Sequence, residues 1–97
     1  MIENFLLIYD ISDEETKYNN IYKILNLCYA KRIQKSVFLL QDEKKDVLRV
    51  ISKIKKNINV EKDKLLLIPL CKDDWEAVEM FGVDKKEGIP KSEFYIL

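Results

Sequence analysis

Apolar residues near the N-terminus are arranged first for a strand and then for a helix. The run Phe5-Leu6-Leu7-Ile8-Tyr9 is nearly continuous, which predicts a strand buried on both faces and central in a sheet. The chain then changes period, and apolar residues recur every three or four positions from Tyr18 onward. Ser12 and Glu15 have the spacing of a capping box, so we predict an amphipathic helix over about residues 13–29.

The middle of the chain predicts two strand pieces followed by a second helix. Residues 32–40 are β-prone, with Lys35 and Ser36 at the site of a bend or tight turn. Asp42 is placed to cap the helix that follows, which has an apolar side and a mostly basic side. The apolar stripe comprises Val47, Val50, Ile51, Ile54 and Ile58, and the opposite side comprises Lys45, Arg49, Ser52, Lys53 and Lys56.

The last third of the chain predicts a strand, a helical turn and a terminal strand. Residues 65–70 form an apolar run that we expect to be buried, with Pro69 ending it or placing it beside a sheet edge. Asp73 is expected to open a short helical turn that Gly82 closes. After a connector without periodicity, residues 94–97 resume a strand pattern suited to pairing with an open sheet edge.

The order of these elements defines the fold class. Strand, helix, two strands, helix and strand is the α+β, ferredoxin-like βαββαβ arrangement, an antiparallel sheet with two helices on one face. A C-terminal strand is added to it. We therefore expect a ferredoxin-like domain over residues 1–82 and a connector with a docking strand over residues 83–97.

The amino-acid composition excludes several classes of protein. The chain has 97 residues, no histidine and two glycines, so it forms one small domain without a histidine-dependent catalytic unit or a glycine-rich phosphate loop. Cys28 and Cys71 have no Cys-x-x-Cys spacing and are expected to be reduced, partly buried thiols. No signal peptide or membrane span is predicted, which favours the cytoplasm. A domain this small buries little of its surface, which favours a homodimer.

The zero net charge of the chain hides an uneven distribution. Residues 31–64 carry eleven basic and five acidic side chains, a net charge of +6, and each flanking third carries −3. A solvated helix face is the simpler interpretation, and a surface that binds phosphates without regard to base sequence is the functional one. The residues we expect to bind nucleic acid are Lys31, Arg32, Lys35, Lys45, Arg49 and Lys53.

Asp10 is the candidate for metal binding or catalysis, because it directly follows the apolar strand. A role at a turn or at the start of the helix is the simpler alternative. Magnesium takes one or two carboxylates together with waters or phosphates, so one aspartate makes a poor site. Two copies of Asp10 near the two-fold axis of a homodimer could bracket one ion and assemble a phosphodiester-cleaving site.

Three strings together resemble one family. They are Leu7-Ile8-Tyr9-Asp10-Ile11, Tyr29-Ala30-Lys31-Arg32-Ile33-Gln34-Lys35-Ser36-Val37-Phe38, and the run from Leu65 to Leu70. In these strings the chain is similar to the second of the two core CRISPR adaptation proteins, "Cas two", which are small ferredoxin-like homodimers. The resemblance covers most of the chain.

This resemblance implies a function and partners. It implies spacer acquisition, in which the homodimer is the DNA-binding scaffold of a complex with the CRISPR integrase, "Cas one", and holds a double-stranded DNA protospacer. Some members of the family are metal-dependent nucleases on RNA or DNA. The resemblance therefore implies Mg²⁺ as the cofactor and Asp10 as its ligand and catalytic residue.

The chain departs from the family pattern at positions that bear on cleavage. Thr16 and Lys17 stand where arginines are frequent, Ala30 replaces the usual glycine, and Leu39 replaces an acidic residue. Because these changes remove a second carboxylate and candidate transition-state stabilisers, the scaffold role is favoured over nuclease activity. Two alternatives stay open, a stand-alone metal-dependent endoribonuclease of toxin-like type and a dimerisation module that binds no nucleic acid.

Overall fold

The described residues form a four-stranded antiparallel sheet with the strand order β2-β3-β1-β4. The computed structural model describes residues 1–12, 15–79 and 81. The elements are β1 Glu3–Asp10, α1 Glu15–Leu27, β2 Lys31–Gln34, β3 Val37–Asp42, α2 Lys44–Lys55, β4 Lys64–Leu70 and α3 Lys72–Glu76. This confirms the ferredoxin-like α+β arrangement, with β1 at the centre. The expected connector and docking strand over residues 83–97 lie outside the described residues.

The main core lies between the sheet and the helices α1 and α2. Strand β1 contributes its odd-numbered residues to this face because side chains alternate along a strand. Leu7 sits opposite Phe38 of β3 and Leu67 of β4, and both Leu7 and Phe38 are almost fully buried. The buried members from the helices are Ile21 and Leu25 of α1 and Val47, Ile51 and Ile54 of α2. The apolar stripe predicted for the second helix is therefore confirmed from Val47 to Ile54, while Ile58 packs against the core from beyond the end of the helix.

The opposite face of the sheet, here called the outer face, is also largely apolar. The short helix α3 covers part of it, where Trp75 packs with Leu39 in a second small core. Beyond that contact, Leu66 and Ile68 of β4 remain 43% and 38% exposed. Strand β4 was expected to be buried, and this is wrong for Leu66 and Ile68, because the described residues leave their side chains partly uncovered. We call Ile8, Val37, Leu66 and Ile68 the outer-face patch.

The polar residues that start two of the helices differ from those predicted. Asp42 is the last residue of β3, and its carboxylate accepts from the backbone N–H of Glu43, which occupies the N-cap position of α2. For α3 the N-cap is Cys71, whose thiol accepts from the backbone N–H of Asp74 at 3.3 Å, rather than Asp73. Both cysteines are free, as expected, but Cys71 is exposed instead of partly buried.

Helix α1 ends at Leu27, two residues before the predicted end. The backbone N–H of Ala30 donates to the carbonyl of Leu25 at 3.0 Å, and that of Tyr29 donates to Asn26 at 3.2 Å. This pair of bonds is the Schellman closure, which requires a left-handed residue just past the helix. Tyr29 is that residue, with φ 59°.

The two edges of the described sheet are unlike each other. Strand β4 is seven residues long and carries Pro69, which confirms the expected place of this proline beside an edge. Strand β2 is four residues long, and its register with β3 shifts between Arg32 and Gln34. No helix among the described residues is long and apolar enough to cross a membrane.

Candidate nucleic-acid interface and aspartate site

Asp10 lies at the end of β1, on the outer side of the sheet and exposed to solvent. Side chains alternate along the strand, so Asp10 shares its face with Leu6 and Ile8 of the same strand. Its partner in the register with β4 is Lys64. The candidate ligand therefore borders the outer-face patch.

The β2–β3 turn comes to the same end of β1. The backbone N–H of Tyr9 donates to the carbonyl of Ser36 at 3.1 Å, and the Tyr9 phenol donates to the carbonyl of Lys35 at 3.3 Å. These two bonds hold the turn beside the residue that precedes Asp10. The structure thus places Lys35 and Asp10, two of the residues predicted from sequence, at one end of the sheet.

The second carboxylate in this region is Asp63, which sequence reasoning missed. Its side chain is fully buried, and each oxygen accepts two hydrogen bonds. Oδ1 accepts from the backbone N–H and the hydroxyl of Ser12, both at 2.9 Å. Oδ2 accepts from the backbone N–H of Asn59 at 2.8 Å and from Lys17 Nζ at 3.3 Å.

These contacts hold the pKa of Asp63 well below its usual range, chiefly through the backbone N–H groups of Asn59 and Ser12. Because both carboxylate oxygens already accept hydrogen bonds that stabilise the fold, Asp63 is a poor ligand for a metal. Within the described ranges, no group of three His, Cys, Asp or Glu residues could hold a metal ion. Among the described residues Asp10 is thus the candidate ligand, and magnesium bound there would need a further donor, such as a second copy of Asp10 or a phosphate.

The predicted nucleic-acid-binding residues fall into two sets. The first set lies on the β2–β3 hairpin, with Lys31 and Arg32 on β2 and Lys35 in the turn. Lys31 and Arg32 are half-buried, and Lys35 is exposed. The hairpin set therefore presents charge at the edge of the sheet.

The second set lies on α2, where Lys45, Arg49 and Lys53 are all exposed. Their spacing of four residues places them on one side of the helix at intervals of about 6 Å. Lys45 pairs with Glu43 at 3.5 Å and Arg49 with Asp46 at 3.3 Å. Because exposed ion pairs of this kind are weak, both cations can exchange their partner for a phosphate.

Three tyrosines, one from β1 and two from α1, line a surface cavity. Tyr9, Tyr18 and Tyr22 lie beside Arg32 and Lys35 of the hairpin set. The signal that could have found them is the spacing of four between Tyr18 and Tyr22, which places two phenol groups on one side of α1. Their contact with β2 depends on tertiary packing and is not visible in the sequence.

Comparisons with known proteins agree with this architecture. The family model described as CRISPR associated protein Cas2 matches residues 3–78. No curated protein matches the sequence significantly.

Two solved structures are similar to this chain. A hypothetical protein, TT1823 from Thermus thermophilus, has 22% identity and a TM-score of 0.73, over 86% of this chain and 94% of that one. Cas2 of Streptococcus pyogenes, crystallised at pH 6.5, has 22% identity and a TM-score of 0.67, over 81% of this chain and 99% of that one. At this identity the two structures support the fold alone. The family match spans most of the chain, so the protein is CRISPR-associated and belongs to the Cas2 family.

Proposed function

We propose that the protein acts in CRISPR spacer acquisition, as a homodimer that binds duplex DNA and serves as the scaffold for the integrase Cas one. The observation that carries the proposal is the contrast between the two sides of the sheet. The outer side has an apolar patch that no described residue covers fully, and the other side carries α2 with its exposed cations. One side suits a second protein copy and the other suits a polyanion.

The outer-face patch is proposed as the dimer interface. Leu66 and Ile68 are large apolar side chains left partly exposed, in a domain too small to bury much surface by itself. A second copy of the same patch is an apolar surface of matching extent, and a two-fold axis lets each patch cover the other. Because Asp10 borders the patch, this arrangement would bring two copies of Asp10 towards the axis.

The α2 set is proposed as the centre of the DNA-binding surface, with the hairpin set at its margin. Cations at one-turn intervals along a helix can each meet a phosphate, and such contacts carry no base preference. Each neutralised phosphate contributes about −0.9 to the slope of log affinity against log salt for duplex DNA. Removing two contacts should therefore flatten the slope by about 2.

We propose that magnesium binds between two copies of Asp10, with one carboxylate ligand from each copy. The ion would supply charge that activates a water or steadies a phosphate oxygen. Asp10 would supply the negative charge that holds it. A site with so few donors favours the scaffold role over cleavage as the main function.

The test is duplex binding by the double variant Arg49→Gln/Lys53→Gln, measured over a range of salt with and without Cas one. We expect weaker binding and a slope flatter by about 2. The matched control is Lys62→Gln/Lys72→Gln, which removes the same charge from two exposed positions off α2 and should leave the slope unchanged. If the two double variants behave alike, the α2 surface is not the DNA-binding site.

A second arm of the same experiment distinguishes a stand-alone endoribonuclease from the proposed scaffold. Labelled RNA and DNA are incubated with wild type and Asp10→Asn in the presence of Mg²⁺, without Cas one. Cleavage of RNA alone that Asp10→Asn abolishes would support the stand-alone enzyme. Loss of integrase-dependent insertion by a dimeric Asp10→Asn variant would contradict the scaffold reading.

A further inference from the structure

The buried carboxylate of Asp63 lies beside the point where the chain leaves β1. One of its oxygens bonds to Asn59 in the turn before β4, and the other bonds to Ser12, which is 51 residues away in sequence. We propose that Asp63 is a positioning residue for Asp10, because it holds the chain two residues beyond Asp10. The inference rests on the proposed function in that Asp10 is the magnesium ligand suggested there.

The turn that carries Asp63 is closed by hydrogen bonds of its own. The backbone N–H of Asp63 donates to the carbonyl of Asn59 at 2.7 Å, and the backbone N–H of Asn59 donates back to Asp63 Oδ2 at 2.8 Å. The backbone N–H of Lys62 donates to the same carbonyl, and that of Glu61 to the Asn59 side chain, both at 2.9 Å. None of these bonds involves β1. The other oxygen, Oδ1, is therefore left to hold a distant segment.

Asp10 lies between two fixed points of the chain. Before it, Tyr9 is buried and its backbone N–H is bonded to the β2–β3 turn at 3.1 Å. After it, Ile11 is buried in the core, and both the backbone N–H and the hydroxyl of Ser12 donate to Asp63 Oδ1 at 2.9 Å. Because the backbone is held on both sides, the Asp10 side chain starts from a fixed place and has a narrow range of directions.

The residue that follows Asp63 holds Asp10 from the neighbouring strand. Lys64 is the register partner of Asp10 in the antiparallel pair of β1 and β4. Two consecutive residues, Asp63 and Lys64, thus contact the chain at Ser12 and at Asp10. The bonds of Asp63 to Ser12 therefore fix the exit of the chain from β1 against the same segment that pairs with Asp10.

A metal ligand with few companions depends on its orientation. Buried partners that orient metal ligands typically change the affinity for the metal about 10–100-fold when they are removed. Asp63 suits this role because its side chain is fully buried and its charge is paired with Lys17 at 3.3 Å. With both oxygens occupied, it can orient the neighbouring carboxylate without competing for the ion.

The experiment compares Asp63→Ala with Val47→Ala in the full chain. Val47 is buried in the first turn of α2, which starts at the opposite end of β1 from Asp10, so Val47→Ala lowers stability without touching this segment. NMR relaxation measures the order parameters of the backbone N–H groups of Asp10 and Ile11. We expect about 0.85 in wild type and in Val47→Ala, and a fall to about 0.6 or less in Asp63→Ala.

The second measurement is the affinity for Mn²⁺, followed by electron paramagnetic resonance, because Mn²⁺ takes the same oxygen ligands as Mg²⁺. We expect wild type and Val47→Ala to bind alike and Asp63→Ala to bind at least about tenfold more weakly. Ser12→Ala removes one of the two bonds to Oδ1 and leaves the turn intact. It should change both measurements in the same direction by smaller amounts, and it provides the test if Asp63→Ala does not fold.

Three results would overturn the inference. They are unchanged order parameters at Asp10 and Ile11, equal changes in Asp63→Ala and Val47→Ala, and an unchanged Mn²⁺ affinity in a variant whose order parameters fall. Failure of the proposed magnesium site is a separate result, in which wild type and Asp10→Asn bind Mn²⁺ alike. The order parameters need no metal and still decide whether Asp63 positions Asp10.

Discussion

Tyr29 occupies a backbone conformation that glycine ordinarily provides. Its φ of 59° lies in the left-handed region, which costs a residue with a Cβ about 1–2 kcal/mol. The side chain is 90% exposed and contributes little packing in return. The helix-ending bonds of Ala30 and Tyr29 require this conformation, so the cost is built into the end of α1.

Tyr29→Gly should therefore raise the free energy of unfolding by about 1 kcal/mol, because glycine adopts this conformation without steric cost. Urea unfolding at neutral pH measures the change. Tyr29→Ala is the control: it removes the ring but keeps the Cβ, and it should give no such gain. A gain of equal size from Tyr29→Ala would show that the ring, not the backbone, carries the cost.

Individual residues show where sequence reasoning reached its limit. Asp10 was recognisable because it ends an apolar strand, and the structure does place it there. Asp63 was not recognised from the sequence, although the fold buries its side chain completely. Its donors Ser12 and Lys17 lie 51 and 46 residues away, so no local pattern could reveal them. The periodicity of apolar residues and their helix or strand propensity predict secondary structure. Contacts between loops that are distant in sequence depend on tertiary packing.

The same limit applies to the ends of elements. The helices and strands of the described residues were predicted in the correct order because their apolar periods are clear. The N-cap residues were predicted wrongly. The N-cap of α2 is Glu43 rather than Asp42, and that of α3 is Cys71 rather than Asp73. Asp42 is instead drawn into β3 by its register with Glu3. Strand pairing, a tertiary effect, overrode a local capping preference.

Asp63 connects two elements and makes the connection sensitive to acid. It joins the segment after β1, through Ser12, to the segment before β4, through Asn59. Its pKa is lowered in the folded state, so this stabilisation is complete above the unfolded value of about 4 and declines as the pH falls below it.

Asp63→Asn should lower the free energy of unfolding at pH 7, because the amide cannot accept all four hydrogen bonds as a charged group. The difference in free energy of unfolding between variant and wild type should decrease as the pH is lowered from about 4 towards 2. Urea titrations at several pH values measure both effects, with exposed Asp73→Asn as the control. A gap that stays constant down to pH 2 would contradict the role of the charge.

At the scale of the whole molecule, the outer-face patch sets the expected assembly. Ile68→Arg would bury a cation from each copy without a partner, and we expect it to weaken the dimer at least about 100-fold. Leu48→Arg is the matched control, because Leu48 is an apolar residue of similar exposure on α2. Sedimentation equilibrium measures both. A dimer that survives Ile68→Arg but not Leu48→Arg would move the interface to the helical side.

The unequal edges of the sheet bear on polymer growth. A chain that grows by strand addition must offer a receptive edge at both ends of every unit, or growth stops. Strand β4 is long enough to accept an added strand, whereas β2 has four residues and an interrupted register. Edge-to-edge pairing should therefore stop once two copies have paired. The edges of the described sheet thus disfavour the growth of fibres by strand addition.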